Sequence, residues 1–184
     1  MTETQLIQQC RQGNQTAFNA LIDAHYANIY RLCHRFLGNA MDAEEAAQDV
    51  FIQFYQAIDR YQPEAKLSTY LYKLAVNRSL NGLRTRKRQR LLPFSSKQEE
   101  KNEWAGDEGD RPDLQLEQDE RALAVRKAID SLPENQRTAV ILQRFHDLPY
   151  EEIAKIMGCS VSSVESRLHR AKQSLSKKLN YLKN

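Results

Sequence analysis

The stretch "YEEIAKIMGCSVSSVESRLHRAK", residues 150–172, decides the fold. It reads as two short amphipathic helices hinged at Gly158. Ile153, Ala154 and Met157 recur at helical spacing, and Ala154 is small enough to let a second helix come close. Gly158 can take the left-handed backbone that ends a helix without a steric penalty. Ser160 is placed to cap the next helix, with Cys159 packing on Val164 as a staple. Val161, Val164, Leu168, Ala171 and Leu175 then point inward, which is helix-turn-helix construction. The opposite face carries Ser162, Ser163, Glu165, Ser166, Arg167, His169, Arg170 and Lys172. Short side chains at its start allow close approach to a groove, and the cations further along reach phosphates or base edges. A helical hairpin with a charged exterior is the plainer alternative. The joint spacing of Ala, Gly and Val favours the DNA reader.

Outward from this motif the rest of the chain also reads as helix. Val, Ile and Thr never gather into alternating runs bounded by turn residues, so strands have no support. A first helix near Glu3 to Gln12 stops at Gly13. A second runs from about Thr16 to Leu37 on Phe18, Leu21, Ile22, Tyr26, Ile29, Cys33 and Phe36, and Gly38 ends it. Asp42 is expected to begin a third, with Glu45 completing a variant capping box and Ala47, Val50, Phe51, Phe54 and Ile58 inward. Pro63 breaks the pattern. Leu67 to Arg90 forms a fourth, expected to be capped by Ser68. Beyond the stretch 93–112, helical spacing resumes from Leu114 to Ser131 through Leu116, Leu123 and Ile129. Pro133 opens a further helix to about Phe145, with Ala139, Val140, Leu142 and Phe145 inward.

The net charge of +3 hides a segregation. Residues 1–60 sum to −3, 61–92 to +7, 93–120 to −7 and 121–184 to +6. Each basic block alone would pass for a solvated helix face; together, with the motif above, they suggest two nucleic-acid contacts joined by an acidic spacer. That spacer, "PFSSKQEEKNEWAGDEGDRP", is rich in Ser, Gly, Pro and acid and reads as a flexible linker. Trp104, the sole tryptophan, either tacks it onto a domain or meets a partner. The reading is thus all-α, with domains at 1–92 and 114–184 joined by a linker at 93–113.

No apolar run is long enough for a membrane span, and the polar start "MTETQLIQQCRQG" lacks a signal-peptide core, so a soluble cytoplasmic protein without direct membrane insertion is expected. Cys10, Cys33 and Cys159 are an odd, widely spaced set among apolar residues and read as reduced, buried thiols. His34 beside Cys33 has no second ligand pair at usable spacing, and neither a metal nor a cofactor is expected.

Two separate stretches resemble a known family. "LPENQRTAVILQRFHDLPYEEIAKIMGCSVSSVESRLHRAK", residues 132–172, resembles the promoter-reading C-terminal domain of the extracytoplasmic-function (ECF) sigma factors of the sigma-70 family. "DAEEAAQDVFIQFYQAIDRY", residues 42–61, followed by "LSTYLYKLAVNRSLNGLRTRKR", residues 67–88, resembles their N-terminal domain. The order and separation are those of the family, and with their flanks the matches cover nearly all but the linker.

The resemblance implies a non-catalytic subunit that binds core RNA polymerase, recognises the −35 and −10 promoter elements and assists strand opening. The helix matching 45–58 would dock on the β′ clamp helices through Gln48, Asp49, Ile52, Gln53 and Gln56; without the resemblance that face is a mostly polar solvated one. A second polymerase contact is implied at the β flap. The region from Gln62 to Lys66, with Tyr70, Tyr72, Lys73 and Asn77, would capture the melted −10 strand, and Arg78, Arg84, Arg86, Lys87 and Arg88 would hold phosphates. By periodicity Tyr70 and Tyr72 suit a core as readily as a base contact. The helix from Val161 would enter the major groove at the −35 element, with Ser162, Ser163, Glu165, Ser166, Arg167, His169 and Arg170 on its reading face. The acidic linker would mimic nucleic acid in the polymerase interior until nascent RNA displaces it. A cognate anti-sigma factor, often membrane-anchored, is implied as a further partner.

Three departures stand out. Tyr70 replaces a frequent Trp but keeps an aromatic, and Pro149 replaces a frequent Ser. Glu165 replaces a frequent Lys or Arg; it would repel phosphate yet can accept from cytosine N4. Two other readings compete. A stand-alone helix-turn-helix regulator leaves the first basic helix and the amide patch without work. A small DNA-processing enzyme such as a recombinase needs a nucleophile or convergent carboxylates, and the acids concentrate in the linker instead.

Overall fold

The computed structural model of the protein describes residues 2–62, 66–91 and 112–180, with Arg90 and residues 112–119 described by their backbone alone. All regular structure among the described residues is helical: α1 (Glu3–Arg11), α2 (Gln15–Leu37), α3 (Ala40–Ala57), α4 (Leu67–Arg90), α5 (Pro112–Asp130), α6 (Glu134–His146), α7 (Tyr150–Met157) and α8 (Val161–Lys178). They form two compact units, α1–α4 and α5–α8. Among the described residues, no helix is long and apolar enough to cross a membrane.

In the first unit, α1 opens with a reciprocal box in which Thr2 and Gln5 satisfy each other's backbone N–H. Asn14 caps α2, and Gly38 closes it at φ +80°. The cap of α3 differs from expectation. Asn39, not Asp42, is the cap: its side-chain oxygen accepts from the Asp42 N–H at 2.8 Å, so the helix already runs by Ala40 and Asp42 falls in its first turn. Nor does Ser68 cap α4, because Leu67 is already helical and Lys66 holds the cap position without a side-chain bond. Leu21, Ile29, Leu32, Val50, Phe54, Leu67 and Leu71 are fully buried where α2, α3 and α4 meet.

In the second unit, Gly158 takes φ +62° between α7 and α8, and Ser160 accepts from the Ser163 N–H at 3.2 Å. Of the inward stripe expected for the helix-turn-helix, Ile153, Ala154, Val164 and Ala171 are buried, beside Ile141 and Leu142 of α6, whereas Met157, Val161, Leu168 and Leu175 are only half-buried. α6 ends one residue beyond Phe145, at His146, because Asp147 adopts the left-handed backbone at φ +49°. Leu123, assigned to the helical stripe of α5, is 46 % exposed, whereas Ile129 is buried. α5 starts at Pro112, inside the stretch read as linker; residues 93–111 of that stretch, Trp104 among them, lie outside the described residues.

Candidate functional site

The outer face of α3 gathers most of the residues expected to bind protein. Gln48, Gln53 and Gln56 are exposed and Ile52 is 53 % exposed. Met41 and Tyr55, at 77 % and 51 % exposure, extend the same stripe, and sequence reading did not include them. Their signal was the three- and four-residue spacing through Gln48 and Ile52. The Tyr55 ring is supported edge-on by Phe18, with centroids 5.0 Å apart. Asp49 stands apart from these residues, half-buried and turned toward α4.

There Arg78 Nε donates to Asp49 and Arg78 Nη2 donates to Glu45 at 3.2 Å. About two turns further along α4, Arg86 pairs with Asp42 and donates to the Leu37 carbonyl at 3.0 Å. Asp42, Glu45 and Asp49 recur at three- and four-residue spacing, so they form one acidic edge of α3 facing two arginines of α4. Both guanidinium groups thereby tie α4 to α3 in the free protein. Single pairs of this exposure contribute only about 0.2–1 kcal/mol, but here several charges share one network. Lys73, Asn77, Arg84, Lys87 and Arg88 are exposed and Lys66 lies at the start of the helix, leaving a basic outer face on α4.

The aromatic pair divides. Tyr72 is 8 % exposed and packs in the core of the free protein. Tyr70 is half-buried, its ring 5.0 Å from Tyr61 and 6.2 Å from Phe54. Burial, followed by the nearby Glu3 and Tyr70, raises the Tyr61 hydroxyl above its ordinary pKa. Cys33 is fully buried and its thiol is pushed up to about 11 by desolvation; burial also raises the Cys10 thiol, so both are poor nucleophiles.

On α8, Ser162, Glu165, Ser166, His169 and Arg170 are exposed, while Ser163 and Arg167 are half-buried. Ser162, Ser166, Arg167 and Arg170 border a shallow hollow that continues to Pro133 and Asn135 at the start of α6. Arg167 also rests on the turn, its Nη1 3.3 Å from Cys159 Sγ and 3.9 Å from Met157 Sδ. Cys159, expected to be buried like Cys10 and Cys33, is instead half-buried, because it lies in the turn with Arg167 over it. His169 shares a 3.0 Å hydrogen bond with Gln173.

The other flank of α8 holds a feature that sequence reading missed. An open apolar groove of about 980 Å³ is lined by Ile129, Val140, Phe145, Tyr150, Leu168 and Leu175, with Glu165, His169 and Lys172 along its lip. In the sequence these apolar residues are indistinguishable from core. Folding buries Ile129 and Val140 at its floor but leaves Phe145, Leu168 and Leu175 half-buried and Tyr150 exposed.

Two family models match the chain: "Sigma-70 region 2" over residues 21–89 and "Sigma-70, region 4" over residues 122–175. The RNA polymerase sigma-H factor of Pseudomonas aeruginosa is 34% identical, covering 96% of this chain and 93% of that protein. The ECF sigma factor SigW of Bacillus subtilis is 33% identical over 94% of each chain, and the ECF sigma-E factor of Escherichia coli K12 is 31% identical over 97% of this chain and 95% of that one. The chain belongs to the ECF group of the sigma-70 family. It is therefore a non-catalytic RNA polymerase subunit that serves transcription initiation. The fold agrees with two solved complexes. CnrH bound to the cytosolic domain of CnrY has a TM-score of 0.69 at 23% identity, covering 96% of each chain. The sigma factor RpoE of Bartonella quintana bound to the anti-sigma factor NepR has a TM-score of 0.68 at 23% identity, covering 89% of this chain and 96% of that one.

Proposed function

We propose a division of labour between the two units. Residues 1–92 bind core polymerase and open the −10 element, residues 93–113 span the enzyme, and residues 114–184 read the −35 element. Gln48, Ile52, Gln53 and Gln56, joined by Met41 and Tyr55, form the surface for the β′ clamp helices, an apolar centre ringed by amides. Tyr70, Lys73 and Asn77 take the melted −10 strand, with Arg84, Lys87 and Arg88 on the phosphates. Ser162, Glu165, Ser166, His169 and Arg170 face the −35 major groove. Arg167 borders the same hollow as Ser166 and Arg170 and joins that reading face, steadied by its contact with Cys159. The apolar groove between α5, α6 and α8 suits an amphipathic helix, the shape expected of the β flap contact.

The observation that carries the reading is the co-occurrence of an exposed Met41/Ile52/Tyr55 stripe with two separate cationic helix faces. A stand-alone DNA-binding protein has no use for the stripe. An anti-sigma factor, the partner type present in the solved complex of RpoE with NepR, is proposed to mask these polymerase-binding surfaces. The protein would then act in the cytoplasm, or be held at the inner membrane face through that partner. Gel filtration with purified core polymerase tests the reading: the chain should co-elute with core and bind promoter duplex stably only in its presence. Stable, specific binding of duplex by the chain alone would refute it.

A further inference from the structure

α1 lies outside the matched region 2 segment and has no role in the account so far. We propose that it is a brace that positions the −10 capture surface, with Arg11 and Glu3 as positioning residues. Near the C-terminal end of α1, Arg11 Nε donates to the Ile58 carbonyl at 3.1 Å, and Arg11 Nη2 donates to the Tyr61 carbonyl. Those carbonyls lie at and just past the end of α3, where a helix runs out of its own donors and a cation is favoured. At the other end of α1, Glu3 Oε1 accepts from the Leu67 N–H at 3.4 Å. Leu67 is the first residue of α4, which has no side-chain cap of its own, and an anion is favoured there.

One nine-residue helix thus holds both chain ends that bracket the α3–α4 connection. It is itself anchored: Ile7 and Cys10 are buried, and His25 on α2 lies 3.5 Å from the second Glu3 oxygen. What it fixes is aromatic. The Tyr61 ring is buried, 5.8 Å from Phe54 and 5.0 Å from Tyr70. Holding the Tyr61 carbonyl therefore sets the wall against which Tyr70 rests. Pre-setting that wall lowers the ordering cost of gripping a single strand. The inference rests on the assignment of Tyr70 to the −10 strand.

The test uses the full chain with core polymerase. The probe is a forked DNA, duplex at −35 and single-stranded at −10, selected by the wild-type holoenzyme from a randomised library; a trimmed version lacks the single strand. Arg11→Gln should weaken binding of the fork about tenfold while core titration and the trimmed duplex stay within about twofold, the loss expected when charge-assisted hydrogen bonds go. Arg11→Lys should restore part of the loss. Glu3→Ala, which removes the opposite end of the brace, should lower fork binding in the same direction, and decides the matter should Arg11→Gln not fold. Unchanged fork affinity in these variants overturns the brace, as does an equal loss on fork, duplex and core, which marks a merely structural helix. Failure of the wild-type holoenzyme to select any fork overturns the −10 assignment itself and the brace with it.

Discussion

Replacing Ile52 by Glu should break polymerase binding without disturbing the fold. Ile52 is 53 % exposed in the free protein, so docking can still bury about half of its side chain. Full burial of an Ile is worth about 1.5–3 kcal/mol, so half is worth roughly 1 kcal/mol, close to a tenfold change in Kd for Ile52→Ala. Glu adds a charge at the apolar centre of the patch. An unsatisfied buried polar group costs about 1–3 kcal/mol, which takes Ile52→Glu to roughly a hundredfold loss or more. Its neighbours Gln48 and Gln53 and the exposed rim give the mutant no folded-state clash, so its thermal transition should match the wild type. The assay is an anisotropy titration of labelled protein with core polymerase, with Ile52→Ala as the intermediate point. A Kd within about twofold of wild type for Ile52→Glu, with a normal melt, would refute the assignment of this face.

The exposed cations of α4 should behave differently from the half-buried Arg78. Arg84, Lys87 and Arg88 changed together to Gln should flatten the salt dependence of holoenzyme binding to promoter DNA by about 2 to 3 in slope, whereas Arg78→Gln should leave the slope alone and lower the melting temperature. The two tyrosines should separate in the same way. Tyr72→Ala should cost about 3–5 kcal/mol in a urea titration, as a buried aromatic does, while Tyr70→Ala should mainly slow strand opening measured by permanganate reactivity. Cys33 gives a pH prediction. Its thiol titrates near 9.0 when unfolded and at about 11 in the native core, so the stability it supplies is complete below pH 9 and is lost as pH rises toward 11. A Cys33→Ser or Cys33→Ala chain should lack that part of the alkaline destabilisation, and an unchanged pH profile would contradict it.

Helix placement was legible because it rests on local periodicity. Gly38 and Gly158 punctuate the chain where left-handed backbone is needed, and Ser160 caps α8 as its position suggests. Cap choice was less legible where several candidates compete. Asn39 and Asp42 are both good caps, and the winner is set by how α2 delivers the chain into α3, which local pattern does not encode. Ser68 failed for the complementary reason: α4 takes its N-terminal acceptor from Glu3, far away in sequence. The same limit explains the site. A basic helix announces many DNA contacts, but only folding shows that Arg78 and Arg86 meet Asp49, Glu45 and Asp42. Likewise Leu168 and Leu175 look like core, but in the fold they are half-buried and line an open groove.

The central claim is that this chain gives core polymerase its promoter. The most direct measurement is in vitro transcription with purified core enzyme on a genomic fragment library, with start sites mapped by sequencing. The account predicts starts at a small set of sites sharing spaced −35 and −10 motifs, absent with core alone and lost with Ile52→Glu. Starts no different from those of core alone would contradict it.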